Sequence, residues 1–220
     1  MAFFPLVGLI IGLILAVGHY LFSLLFSEPL SLWLTIGLLA LLTRGLHLDG
    51  FADTMDGLGS GGSREKILEV MRDSRIGAFG VIGLILLIGA KYFALDQIPR
   101  AASIPYALIL MVVTARNAMV LVCYRSPYAR SGEGLAKPFT ENLGFREIIL
   151  SFATAFGIAL LVMGIRGVAV FVGIGLFSLI YRYFFIRKLG GVTGDILGAA
   201  NELAELLCLL LITILEPIHS

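Results

Sequence analysis

Residues 2–26 read AFFPLVGLIIGLILAVGHYLFSLLF, 25 residues without a Lys, Arg, Asp or Glu. A helix that crosses a bilayer needs about 20 apolar residues, so this stretch is long enough to span. It is too long for the apolar part of a secretory signal. No Lys or Arg precedes Arg44, where a signal peptide would carry a basic start. The stretch reads as a retained first span. Six further apolar runs follow: Leu30–Leu42, Gly77–Leu95, Ile104–Tyr124, Ile148–Gly164, Val168–Ile186 and Ile196–Leu215. The expected fold is an all-α polytopic membrane bundle of about seven helices, a single integral-membrane domain over residues 1–220. Composition agrees: 59% of the residues are apolar, 14% are charged, and the mean hydropathy is +0.99. A soluble domain carries about 25% charged residues, so soluble, disordered and disulfide-scaffold classes are excluded. The net charge of +1 gives no basic footprint for nucleic acid. Cys123 and Cys208 lie in apolar runs, without zinc spacing, and read as buried thiols.

Glycine is abundant, 26 of 220 residues, which suits helices packed closely through small residues. None of the small-residue pairs, such as Gly8 and Gly12, is a strong dimerisation signal; a homo-oligomer is left open.

The basic residues set an orientation. Arg44, Arg64, Lys66, Arg72 and Arg75 follow the second run; Arg125, Arg130, Lys137 and Arg146 follow the fourth; Arg182, Arg187 and Lys188 cluster near the end of the sixth. Those are 12 of the 16 bases, all on one side of the alternation. Lys91, Arg100 and Arg166 fall on the other side, and Arg116 alone lies within a span. Loops rich in Lys and Arg stay in the cytoplasm. The three long polar segments, and any site built from them, are expected to face the cytoplasm across the cell membrane.

The first polar segment, residues 44–76, reads RGLHLDGFADTMDGLGSGGSREKILEVMRDSRI and holds 11 of the chain's 31 formal charges. Asp49, Asp53 and Asp56 stand at i, i+4 and i+7, within about 60° of one helical face. Three carboxylates so close repel one another, and a divalent cation removes the conflict. Mg²⁺ takes oxygen ligands, typically one or two carboxylates plus substrate phosphates. Gly57–Ser63 offers backbone N–H groups to an anion or simply a flexible connector. Ser63 is a candidate N-cap for a short interfacial helix over Arg64–Ser74. His47 is placed to orient a carboxylate or a phosphate, and Arg72 and Arg75 to grip phosphates.

The second segment, RSPYARSGEGLAKPFTEN over 125–142, combines Arg125 and Arg130 with Tyr128, a pairing that suits nucleotide phosphates and bases. Arg116, costly inside a span, needs a partner from another helix or a substrate anion. In the third segment Asp195 and Glu202 are seven residues apart on one helical face, with Glu205 a turn further. Asp195 is a further candidate metal ligand. Asp53, Asp56 and Glu202 are the candidate catalytic acids, and Glu202 is expected to face the same cavity as Asp53.

The stretch LHLDGFADTMDGLGSGGSREKILEVMRDSRIGAFGVIGL, residues 46–84, resembles the signature of the cobalamin-5′-phosphate synthase family. RSPYAR and GGVTGDILGAANELAE are similar to that family's later motifs, in the same order. The resemblance implies an adenosylcobinamide-GDP ribazoletransferase of the last steps of cobalamin assembly. It would join adenosylcobinamide-GDP to α-ribazole or its 5′-phosphate and release GMP, with Mg²⁺ required. Two other readings stay open. The run from Asp53 to Gly57 fits the opening of the CDP-alcohol phosphotransferase motif, as in phospholipid synthases, but Ser60-Gly61 stands where Ala-Arg belongs and the later acids are missing. A cation-coupled transporter would also use Arg116, Asp195 and Glu202, though no internal repeat is evident.

Overall fold

The computed structural model describes residues 1–98, 103–132, 134 and 136–215. Among these it contains helices and one isolated parallel bridge, Tyr128 with Val192, and no longer strand. The helices are α1 (Phe4–Ser23), α2 (Glu28–Leu42), α3 (Leu46–Gly59), α4 (Arg64–Val70), α5 (Ala78–Gln97), α6 (Ser103–Cys123), α7 (Lys137–Asn142), α8 (Phe145–Leu189) and α9 (Gly194–Leu215). The absence of sheet follows from the medium: only helices satisfy every backbone group within one apolar segment, short of a closed barrel.

Among the described residues five helices are long and apolar enough to span, or up to six spans if the bent pair α2 and α3 counts as one. The bend between them is 89°. It lies at Arg44 and Gly45, both left-handed, with φ of 54° and 67°. Gly45 N–H donates to Ala40 O at 2.8 Å and closes the end of α2. The 13-residue apolar run is therefore short because the chain turns there and continues as α3.

Helix α8 is not straight. Gly164 leaves helical geometry, with φ 57° and ψ −137°. The rings of Phe152 and Phe171 then meet at 4.6 Å. Nineteen residues of straight helix would hold them about 28 Å apart. The chain doubles back at Gly164, and Gly167 lies flush on Ala159 with no room for a Cβ. The two apolar runs expected before and after Gly164 are thus two antiparallel limbs.

Helix α6 is the axis of the bundle, buried along almost its whole length between α1, α8 and α9. Glycines let its neighbours close in. A Cβ on Gly8 would stand 2.9 Å from Val113 Cα, and one on Gly12 2.7 Å from Ile109 Cα. Lys91, expected among the opposite-side bases, is instead buried inside the bundle. Arg100, another of them, lies outside the described residues.

Three chain segments meet at one end. Ala129 N–H donates to Val192 O at 3.0 Å, and Val192 N–H to Pro127 O at 2.9 Å. Arg64 ties in the first segment: its Nε donates to Leu189 O at 2.7 Å and its Nη2 to Ala129 O at 3.0 Å. The ring of Phe4 lies 6.0 Å from that of Phe139, so the start of α1 is at this end too.

Candidate active site

Helix α3 lies across the start of α9. Gly50 makes this possible: a Cβ there would stand 2.9 Å from both Cα and O of Asp195. Gly198 repeats the contact one turn along, against His47. Asp49, beside Gly50, is exposed, and Asp53, one turn on, is half-buried. Neither side chain has a hydrogen bond or ion pair among the described residues. The crossing at Gly50 brings the Asp195 backbone against the helix that carries Asp49, Asp53 and Asp56.

They are not equally available. Asp56 Oδ2 accepts from Gly77 N–H at 2.7 Å, and Oδ1 from Gly80 N–H at 2.8 Å. It caps the start of α5, where a carboxylate offsets the helix dipole. The expectation that Asp56 ligates a cation and accepts a proton meets a carboxylate with both oxygens engaged. Asp195 Oδ2 is 2.6 Å from Arg130 Nη2 and 3.3 Å from Thr193 Oγ1. The hard oxygen donors suit Mg²⁺ chemically. Yet among the described residues no group of three acids closes on one point as a metal would require.

The bases divide in the same way. Arg130 Nη2 also donates to Met71 O at 3.2 Å, and its Nε is buried without a partner among the described residues. Arg72 is exposed, its Nη2 3.4 Å from Ser131 O. Arg75 is bound bidentately to Asp73 at 2.7 and 3.0 Å, and that guanidinium holds the Asp73 carboxyl down to about 2. Arg125 projects outward, its guanidinium 5.3 Å from the Tyr124 ring centroid. A depression of about 510 Å³, lined in part by Asp56, Ser60, Asp73 and Arg75, opens beside them.

Glycines 57 and 59 belong to α3 rather than to an anion-binding loop. Gly57 packs on Met71 and Ile67, and Gly59 on Phe79. Ser63 does cap α4, accepting from Lys66 N–H at 3.4 Å.

Glu202 and Arg116 lie deeper. Lys91 Nζ is 2.6 Å from Glu202 Oε2 and 2.6 Å from Glu205 Oε2. Arg116 Nη1 donates to Asn201 Oδ1, and Asn201 Nδ2 donates to Glu205 Oε1 at 2.8 Å. Two bases and two acids make the cluster electroneutral. Glu202 is not in the Asp53 group but in this buried network, and Arg116 finds its partners in α9. His47 is buried nearby, its Nδ1 without a partner. The missed signal was Lys91, a base thirteen residues into a 20-residue apolar helix. Arg64 was also missed as a tie between segments; sequence spacing carries no sign of that.

Residues 1–213 match the family model described as cobalamin-5-phosphate synthase. The chain belongs to this family. It is 43% identical over 208 residues to the adenosylcobinamide-GDP ribazoletransferase of Syntrophobacter fumaroxidans, covering 94% of this chain and 84% of that one. The ribazoletransferase of Acetivibrio thermocellus is 41% identical, with coverage of 96% and 85%. That of Escherichia coli is 40% identical, with coverage of 94% and 84%. No solved structure matches the chain. The whole chain matches cobalamin-5-phosphate synthase and its relatives, and these matches support neither the phospholipid-synthase nor the transporter reading.

Proposed function

We propose that the chain is an adenosylcobinamide-GDP ribazoletransferase whose reaction takes place where α3, α9 and the 125–131 segment meet, on the cytoplasmic side of the cell membrane. The match over residues 1–213 carries the activity. The crossing of α3 and α9 at Gly50 and the pairing of Arg130 with Asp195 support the place.

Asp49 and Asp53, without hydrogen bonds among the described residues, are the carboxylates that would meet a Mg²⁺ ion carried in on the substrate's phosphates; no third acid closes on them. Bound there, the ion supplies charge neutralisation for the pyrophosphate of the GDP substrate. The chain's own residues do the rest. Arg130 and Arg72, at the rim, bind phosphate oxygens. A ribose hydroxyl of α-ribazole forms a P–O bond to the phosphate that carries cobinamide, and the bond to GMP breaks. Asp53 accepts the hydroxyl proton, since Asp56 has both oxygens on α5 and Glu202 is held by Lys91. Asp56 positions Asp53 indirectly, by fixing α3 to α5. Most of the catalysis is placement and electrostatics, as in other phosphoryl transfers.

The test is direct. The protein in detergent micelles is given adenosylcobinamide-GDP, α-ribazole and Mg²⁺, and GMP is followed by chromatography. Release of GMP coupled to α-ribazole and abolished by EDTA is expected. Release that ignores α-ribazole would overturn the transferase reading.

A further inference from the structure

A cavity of about 160 Å³ lies between α2, α3, α5 and α9. Trp33, Ile36, Leu48 and Ile88 give it apolar walls, and Lys91 and Glu202 line it as well. Both charged residues are nearly buried, at 3% and 4% exposure. Ionisable groups inside a membrane bundle are costly and mark function by default. Pairing offsets the cost here, but not completely. The Lys91 ammonium has three N–H donors, and Glu202 Oε2 and Glu205 Oε2 accept two of them. Among the described residues no acceptor takes the third. Thr43, also at the wall, spends its hydroxyl on Leu39 O and Ala40 O. The cavity therefore offers apolar walls and a spare donor whose position two carboxylates fix.

We propose that this cavity takes the benzimidazole ring of α-ribazole, with Lys91 Nζ donating to the free ring nitrogen. The inference rests on the transferase reading above and adds where the attacking substrate is held.

α-Ribazole is a ribose joined to a benzimidazole. That ring system is bicyclic, flat and apolar except for one unsubstituted nitrogen, which accepts a hydrogen bond. It matches one donor set in an apolar wall. Guanine, the base of the other substrate, has several polar atoms along its edges and would leave most of them unpaired here, at a cost. The size agrees: the cavity is smaller than the about 300–1,000 Å³ that holds a whole drug-sized ligand, so it suits one ring system and not a corrinoid. The ring of Trp33 is held edge-on by Tyr92, centroids 6.0 Å apart, and gives the base an aromatic neighbour. Leu48 precedes Asp49, so the cavity reaches the start of α3, the helix that carries the candidate acids. Glu202 is then a positioning residue: it holds Lys91, and Lys91 holds the base.

Gly37 supplies the test. It lines the cavity, and a Cβ there would meet nothing within 4 Å. A leucine at this mid-helix position fills the space and improves helix propensity. In the full chain in detergent, Gly37→Leu should raise KM for α-ribazole about tenfold or more and leave KM for adenosylcobinamide-GDP unchanged. Gly89→Leu, on α5 outside the cavity and also facing open space, should change neither. Equilibrium dialysis of radiolabelled α-ribazole reads the same site without turnover. 1-Methylbenzimidazole should displace it about tenfold better than 1-methylindole, which has the same shape but carbon in place of the free nitrogen. If Gly37→Leu does not fold, Ala40→Leu, on the same wall, takes its place. An unchanged KM for α-ribazole in the folded, cavity-filling variant overturns the proposal and leaves the cavity to a lipid chain. Equal displacement by the two methylated rings overturns the role of Lys91 and the proposal with it. In both cases GMP release that depends on α-ribazole keeps the transferase reading intact. Absence of such release from the unaltered protein removes both.

Discussion

Four acids that look alike in sequence have different tasks, and the difference lies in what already touches them. Asp53 has no hydrogen bond or ion pair among the described residues, whereas Asp56 satisfies two amides at the start of α5. Asp53→Asn should therefore lower GMP release by a factor of about 100 or more and leave thermal unfolding in place, as expected for a residue that touches the reacting groups. Asp56→Ala should cost about 1–2 kcal/mol of stability through the lost cap, and activity through the shifted α3. Paired rate and unfolding measurements on the two variants check this, and equal loss of stability in both would refute the division. Glu202 makes a third case. The residue is 4% exposed, and its carboxylate pairs with Lys91. Removing one partner of a buried pair typically costs about 3–5 kcal/mol. Glu202→Gln should lower stability, and Lys91→Met in the same chain should recover part of it. A Glu202→Gln protein as stable as the original, with GMP release abolished, would return Glu202 to the active site. The i, i+4, i+7 spacing showed that Asp49, Asp53 and Asp56 share a face. It did not show that the N-terminal amides of α5 would take one of them, because that depends on which helix is packed alongside.

Between elements, the contact that builds the site is the crossing of α3 and α9 at Gly50. Only a residue without a Cβ lets the Asp195 backbone come this close. Gly50→Ala should push the two helices apart, costing about 1–3 kcal/mol as overpacking does. It should also separate Asp195 from Asp49 and Asp53, so GMP release falls more than the loss of stability accounts for. Normal turnover in Gly50→Ala would mean that Asp195 does not work with the α3 acids. The spans were legible in the sequence because apolar length alone decides them. The fold-back at Gly164 was legible because two runs were separated there. The turn from α2 into α3 was visible only as a run that ended early. Lys91 was misplaced because a base near a run's end reads as a loop anchor. Its acidic partners stand more than a hundred positions away, on α9.

For the molecule as a whole, the decisive feature is that segments 44–77, 124–132, 136–144 and 187–195 form one end. The Tyr128–Val192 bridge and the Arg64 hydrogen bonds make that a structural fact. The proposal that this end faces the cytoplasm rests on charge. Lys91, inside the bundle, no longer counts against that orientation under the positive-inside rule. Exposed positions suited to labelling are Lys66, Ser131 and Lys188 at this end and Arg166 at the fold-back. In a background lacking Cys123 and Cys208, single cysteines at the first three should resist an impermeant thiol reagent outside intact cells and react once the cells are opened. A cysteine at residue 166 should react from outside. Since the three segments are bonded together, the first three positions must behave alike. If all three label from outside, the orientation is inverted and the substrates would have to be delivered to the other face. If they divide between the two sides, the hydrogen bonds of Arg64 and the Val192 bridge do not exist in the membrane, and the site assembled from α3, α9 and Arg130 fails with them.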